Sequence, residues 1–392
     1  MDLRPRYLEE PIVEDLASKM VFLGGPRQVG KTTLARDIVG KRWPSSFFSW
    51  DKLVQRKAAL KSEWPSESRL IVLDEFHKQP KWKTWLKGEH DTSEGRRVFL
   101  LTGSARMNVY RRGGDSLQGR YHYRTLHPFT LGEMRGAGLP AKPGSALEFR
   151  ERDDGDVADL ETLLRVGGFP EPLFRGEARF HRRWQAERME RFFREDVRDL
   201  TRIAELGSLA LLADLLPGKV ASILSINSLA GDLAVNFRTV AAWLASFELL
   251  YHSFRIPPFQ SRKVSAVRKE RKLYLWDWSA VDDVGARFEN LVASHLLKLC
   301  DYLHEHEGWR TELHYLRDTT GREVDFLVTH QGKPWFAVEV KLDDREVSRN
   351  LLYFRDRIGI PFCYQITRTA NADFEKLGVR VVPASRFLTA FG

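Results

Sequence analysis

Apolar and polar positions alternate in two different rhythms along this chain. In the first third, Lys19–Gly24 is a short apolar run that ends in glycine, and Thr33–Val39 after it has helical spacing. Phe47–Trp50 predicts a strand, Leu70–Leu73 and Val98–Thr102 predict strands buried on both faces, and Trp82 and Trp85 lie at helical spacing between those two. Strands that alternate with helices imply a parallel sheet, so the expected fold class is α/β. After Leu131 the pattern changes, and the Gly- and Pro-containing stretch Gly136–Gly144 is a candidate boundary. From Leu160 to about Leu250 the spacing is helical; from Lys272 to Pro383 short strands with turns dominate. A chain of 392 residues is longer than one core usually serves. The changes of rhythm divide it into a parallel-sheet domain over 1–138, a helical connector over 139–205, a helix-turn-helix region over 206–275 and a strand-rich α/β domain over 276–392.

The segment between the first strand and its helix is Gly25-Pro26-Arg27-Gln28-Val29-Gly30-Lys31-Thr32-Thr33. Its spacing is that of a phosphate-binding loop. Gly25 and Gly30 let the backbone fold round phosphate oxygens, Lys31 puts a cation on the outer phosphates, and Thr32 offers a hydroxyl to magnesium. The helix that follows adds its N-terminal dipole. Arg69–Glu75 then delivers two acids at the C-terminal edge of an apolar strand, where open parallel sheets bind ligands. Asp74 is expected to hold the magnesium shell and Glu75 to polarise the attacking water. A third strand ends in Leu101–Ser104, which makes Ser104 the candidate to sense the terminal phosphate or orient water. Arg120, just before the strand-like Tyr121–Leu126, is the candidate arginine finger for a neighbouring subunit, with Arg106, Arg111 and Arg112 as rivals. ATP and Mg2+ are the ligands this set calls for, and a finger acting in trans implies a homo-oligomer.

Further along, Ser228–Leu233 predicts a short helix, Val235-Asn236 a turn, and Phe237–Leu250 a longer helix with Val240, Trp243, Leu244, Phe247 and Leu250 on one face. A cation-rich hairpin follows: Arg262, Lys263, Arg268, Lys269, Arg271 and Lys272. Helix, turn, helix and basic hairpin match a winged helix, in which Arg238 and Thr239 open the recognition helix and Arg262, Lys263, Arg268 and Lys269 clamp phosphates. The stretch from His181 to Arg202 alternates arginines with acids, and reads as a helix laced with ion pairs.

Near the C-terminus, Glu289 falls in a helical segment, Asp325 in the strand Glu323–Val328, and Glu339 and Lys341 in the strand Trp335–Lys341. A turn at His330–Lys333 brings Asp325 beside Glu339, since alternate residues of a strand share a face. The resulting Asp, Glu-x-Lys signature is that of the restriction-endonuclease-like fold, with Asp325 and Glu339 as magnesium ligands and Glu289 and Lys341 as catalytic partners.

Composition narrows this picture in one direction. With 43% apolar and 29% charged residues the chain is neither disordered nor a membrane protein. Its longest apolar stretches, near Leu206–Leu216 and Ala241–Leu250, are too short to span a bilayer, so no membrane partner is expected. Met1–Arg6 lacks the apolar core of a secretion signal and Cys300 and Cys363 have no paired spacing, which together predict a cytoplasmic protein. A net charge of +9 favours polyanionic partners, of which DNA is one, although many basic proteins bind none.

With these motifs in place the chain resembles a prokaryotic family of AAA-type ATPases that carry a C-terminal DUF4143 domain. The resemblance rests on Gly25–Thr32, Ile71–Glu75, Leu101–Ser104, Ser116–Arg120, Gly167–Glu171 and the block from Phe288 to Lys341. It implies three parts: a P-loop RecA/AAA-like parallel-sheet domain, a winged-helix region, and a restriction-endonuclease-like α/β domain. The chain has His77 where the family usually has a glutamine after the acidic pair. The expected activity is that of a DNA-dependent ATPase that remodels branched or broken DNA, with nuclease activity as an optional second function and DNA, branched, broken or single-stranded, as the partner. The rival is an ATP-switched regulatory or scaffold protein whose C-terminal domains bind a protein partner.

Overall fold

The computed structural model describes residues 4–93, 95–105, 117, 119–136, 142–151, 153–197, 206–260, 271–343, 346–369 and 373–391. By its contacts the chain divides into two units. One runs to His127 with Leu249–Tyr251, and the other takes Pro128–Glu248 and His252–Gly392.

The first unit is built on β1 (Met20–Gly24), β2 (Ser45–Ser49), β3 (Leu70–Asp74), β4 (Val98–Gly103) and β5 (Tyr121–Thr125). They pair in the order β2-β3-β4-β1-β5, and every pairing is parallel. Residues along the whole of β1 are buried, as a strand covered on both faces requires. On one face Phe22, Ile71, Leu73, Phe99 and Leu101 meet Phe76, Trp82 and Leu86. Phe22 and Trp82 lie with ring centroids 5.3 Å apart. Each such large side chain contributes about 1.5–3 kcal/mol by leaving water, which fixes the strands whose C-terminal ends carry the polar residues. The segment expected as one helix after the phosphate loop is wound as a π-helix over Thr33–Ile38 and a tighter 3-10 turn over Val39–Arg42.

The second unit begins earlier than the boundary expected near 138. Phe129 N donates to Gly168 O at 2.7 Å, and the Thr130 hydroxyl donates to Phe391 O at 3.1 Å. Lys298 Nζ, fully buried, lies 2.9 Å from both Thr130 Oγ1 and Glu133 Oε2. These bonds draw Pro128–Met134 onto the second unit. Its helices include Asp154–Val166, started by a capping box from Asp153 and Asp156, and Ala178–Arg191. The ion pairs Glu187–Arg191 and Glu190–Arg194 lace the latter as expected. Next come the helices Ile226–Asp232 and Phe237–Leu249, followed by an antiparallel hairpin of β6 (Ser253–Ile256) and β7 (Lys272–Leu275). Val240, Trp243, Leu244 and Phe247 form the buried face of the second helix.

The helix Val284–Glu305 then leads into a six-stranded mixed sheet. Its strands β8 (Thr311–Arg317), β9 (Glu323–His330) and β10 (Lys333–Lys341) pair antiparallel in sequence. β11 (Phe362–Thr367) and β13 (Val379–Pro383) continue parallel to β10, and β12 (Phe374–Lys376) closes the edge. Leu316, Val324, Leu327 and Ala337 pack there against Leu351 and Phe354. Both cysteines are buried and free. Among the described residues no helix is long and apolar enough to cross a membrane.

Candidate functional site

The phosphate loop leaves the C-terminal end of β1, with β4 directly beside it and β3 one strand further. Gly25 has φ +146°, and a Cβ there would sit 2.5 Å from the carbonyl oxygen of Leu126, so only glycine allows the chain to turn this close to β5. Gly30 has φ +101°, where it hands the loop to the helix. Lys31 is 6% exposed and donates to the carbonyl oxygens of Gly25 and Pro26 at 2.9 and 2.8 Å. The loop therefore folds round its own lysine, and Pro26, Arg27, Gln28 and Val29 form the arch between the two glycines.

β3 and β4 bring the acids to this loop. The Thr32 hydroxyl donates to Asp74 Oδ1 at 3.0 Å, and the Thr102 hydroxyl donates to the same oxygen at 2.5 Å. Thr102 stands opposite Asp74 in the β3/β4 register. A threonine hydroxyl and a carboxylate converging in this way are hard oxygen donors that fit magnesium carried in with a nucleotide. Glu75 follows in the left-handed region, φ +58°, which turns its side chain away from the strand direction. The Ser104 hydroxyl donates to Glu75 Oε2 at 3.1 Å, and His77 Nε2 lies 3.7 Å from the same oxygen. Burial lifts the Glu75 carboxyl above its ordinary range; Lys31, Lys78 and Arg27 pull it down and Asp74 pushes it further up. Thr33, exposed, follows at the head of the helix. The sequence thus brought Thr32, Asp74, Glu75 and Ser104 into one site and missed Thr102, whose position two residues before Ser104 was the available signal.

Arg120 lies elsewhere. Its carbonyl accepts from Met20 N at 3.1 Å, at the N-terminal end of β1 and β5 and so at the opposite end of the sheet from the loop. Its guanidinium Nε donates to Asp91 at 3.0 Å. The structure does not bring Arg120 to this chain's own phosphate loop. The rivals Arg106, Arg111 and Arg112 lie outside the described residues.

In the second unit Asp325, Glu339, Lys341 and Glu289 are drawn together. Asp325 Oδ2 accepts from Val340 N at 2.8 Å, which seats it beside Glu339 across the β9/β10 pair. Glu339 Oε1 takes Lys341 Nζ at 2.8 Å and the Ser348 hydroxyl at 3.2 Å. Glu289, on the helix Val284–Glu305, accepts from the Tyr274 hydroxyl at 2.7 Å. Burial, with the charge of Asp325, pushes Glu289 up to about 8 and Glu339 up to about 7. The sequence reading of Lys272 needs correction: it is not a solvated wing cation but 1% exposed, and its Nζ lies 2.6 Å from Glu323, 3.2 Å from Glu289 and 3.6 Å from Asp325. Among the described residues no group of three or more His, Cys, Asp or Glu side chains is arranged to hold a metal.

The helix-turn-helix leaves Arg238 exposed and Thr239 half-buried in the first turn of the second helix, whose start is capped by Asn236 Oδ1 accepting from Thr239 N at 2.9 Å. Arg262, Lys263, Arg268 and Lys269 lie outside the described residues.

A five-stranded parallel sheet with a phosphate loop and an acid pair at the C-terminal ends of its strands defines a P-loop ATPase domain, and residues 17–135 match the AAA domain family. Residues 284–387 match the domain of unknown function DUF4143 and residues 157–284 the domain of unknown function DUF8612, so the chain is an AAA-type ATPase-domain protein with a C-terminal DUF4143 domain. Uncharacterized proteins of Mycobacterium bovis and Mycobacterium tuberculosis are each 24% identical to it over 349 residues, which is 85% of this chain and 72% of theirs. Among solved structures it is similar to a RuvB protein of Thermotoga maritima, at 15% identity over 64% of this chain and 89% of that one, with a TM-score of 0.34. It is also similar to a Walker-type ATPase of Pyrococcus abyssi, at 14% identity over 73% of this chain and 99% of that one, with a TM-score of 0.40.

Proposed function

We propose that this chain hydrolyses ATP with magnesium and couples the hydrolysis to DNA, acting on branched, broken or single-stranded DNA as a DNA-dependent ATPase. The observation that carries the ATPase half is the meeting of Thr32, Asp74, Glu75 and Ser104 at the mouth of the phosphate loop. Bound Mg-ATP supplies an electrophilic phosphorus and a good leaving group. Lys31 would meet the outer phosphates, Thr32 and Asp74 would hold the magnesium that offsets phosphate charge, and Thr102 fixes the Asp74 carboxylate. Glu75 takes the proton of the attacking water, and Ser104 holds Glu75 in place. A carboxyl lifted by burial is a stronger base once ionised, which suits this task.

Three observations support the DNA half: the net charge of +9, a helix-turn-helix with Arg238 exposed at its second helix, and the antiparallel hairpin that follows. Arg120, remote from this chain's own loop, is assigned to a neighbouring subunit's nucleotide, which makes hydrolysis depend on assembly into a homo-oligomer. Phe237, 49% exposed beside Arg238, favours the second reading, in which this face takes a protein partner and ATP acts as a switch. The test is ATPase turnover with and without single-stranded, duplex and branched DNA, across a salt series. Turnover that rises with DNA, and DNA affinity that falls steeply with salt, is the expected result; turnover indifferent to every DNA form overturns the DNA half and leaves the switch reading.

A further inference from the structure

We infer that the carboxylate cluster of the C-terminal sheet is closed by an internal cation, the Lys272 ammonium, and does not take a divalent metal ion. Three carboxylates from two elements surround that ammonium: Glu289 from the helix Val284–Glu305, and Glu323 and Asp325 from β9, at 3.2, 2.6 and 3.6 Å. The Lys272 side chain is 2% exposed, so the ion pair is inside the protein and is not a surface lysine resting on acids.

Other groups of the chain also bond to the cluster. Tyr274 donates to Glu289 at 2.7 Å, Arg317 Nη1 lies 2.8 Å from Glu323, and Val340 N donates to Asp325 at 2.8 Å. Lys341 and Ser348 occupy Glu339 Oε1, which leaves Glu339 Oε2 as a buried carboxylate oxygen without a hydrogen-bond partner. Magnesium asks for near-octahedral oxygens around it, with one or two carboxylates and several waters. Here the two adjacent carboxylates, Asp325 and Glu339, already hold Val340 N and Lys341, and a buried ammonium 3.6 Å from Asp325 sets a fixed cation against the incoming ion. A dication bound to Asp325 would share that carboxylate with Lys272 at short range, and like charges at such distances repel strongly.

The position of Lys272 gives this ion a task. It is the first residue of β7, the returning strand of the hairpin after residues 261–270. The ammonium therefore pins the root of the hairpin to β9 and to the helix Val284–Glu305. Lys272 is a positioning residue for the hairpin, and the nuclease-like sheet is its holder. The inference does not depend on ATP hydrolysis or on DNA binding, and its test is separate from theirs.

The test is Mn2+ binding to the full-length chain without nucleotide, read from the electron paramagnetic resonance signal of free Mn2+, in an Asp74→Asn background that removes the carboxylate of the phosphate-loop site. Expected is no stoichiometric Mn2+ on this chain, and a gained site when Lys272→Met is added, lost again with Asp325→Asn. Stoichiometric Mn2+ bound in the Asp74→Asn chain and lost with Asp325→Asn overturns the inference. A folded Lys272→Met chain that gains no Mn2+ overturns the assignment of Lys272 as the occupant. Should Lys272→Met fail to fold, the measurement on the Asp74→Asn chain decides by itself.

Discussion

Two groups of carboxylates gather in this molecule, one at the C-terminal end of β3 and one between β9 and the helix Val284–Glu305, and their neighbours differ in kind. Around Asp74 and Glu75 the hydrogen-bond donors are neutral hydroxyls, those of Thr32, Thr102 and Ser104, while the loop lysine is folded onto backbone carbonyls. Around Glu289, Glu323 and Asp325 the central donor is a buried ammonium. Hydroxyls orient a carboxylate without supplying a countercharge, so in the first group the countercharge is left to a magnesium nucleotide. The second is partly countered from within, by one ammonium among three acids. Counting acids alone would equate the two; what separates them is whether the countercharge arrives with a ligand or belongs to the fold.

The comparison breaks most visibly at the two lysines. Lys31→Ala removes the charge meant for phosphate, and turnover should fall by at least about a thousandfold, measured as phosphate release, with little change in thermal midpoint. Lys272→Met does the reverse. It leaves three part-buried acids without their countercharge, and chemical denaturation should show a loss of about 3 kcal/mol, the low end for a buried pair. A Lys272 variant as stable as the parent would remove the distinction between the groups.

The next effect is read in pH. Burial raises the Glu75 carboxyl above its ordinary range, and the base must be ionised to work. Turnover should therefore decline as pH falls through a midpoint above the usual carboxylate value of about 4.3, and Glu75→Gln should remove that limb along with about 100- to 10,000-fold of the rate. The stability sign runs opposite. With the folded pKa raised, the contribution of Glu75 is present below the unfolded value and is lost as pH rises through the folded one. Glu75→Gln should accordingly melt higher than the parent at alkaline pH, a gain in stability at the cost of catalysis.

Much of this was legible beforehand because it follows from local pattern. The phosphate loop is a contiguous run, and the acid pair sits at the end of an unbroken apolar strand, Leu70–Leu73. The pairing of Asp325 with Glu339 followed from strand alternation across a short turn. Lys272 was not legible. It lies in a run of cations, and nothing in a run tells which member turns inward; that was decided by Glu289, Glu323 and Asp325, which are distant in sequence. The early start of the second unit was hidden for the same reason, since Thr130 and Glu133 are claimed by Lys298 and Phe391 from far along the chain. Neighbours in sequence set the elements, and long-range charge decided which polar residues became internal.

The smallest expected effect concerns Thr102, and it tests whether neutral donors really tune the first group. Its hydroxyl reaches Asp74 Oδ1 at 2.5 Å, from a residue that is fully buried. A hydrogen bond to a charged group contributes about 1.5–3 kcal/mol, and here Thr32 shares the same oxygen, so part of the orientation survives its loss. Thr102→Ala should lower turnover by roughly tenfold, the lower end of that range. It should also raise the magnesium concentration needed for half-maximal rate at saturating ATP, because a less firmly held Asp74 meets the ion less often in the right pose. Thr102→Ser returns the hydroxyl without the methyl and should recover most of both. If alanine costs stability alone and leaves the magnesium dependence unchanged, Thr102 is a packing residue of β4, and the neutral donors around Asp74 reduce to Thr32.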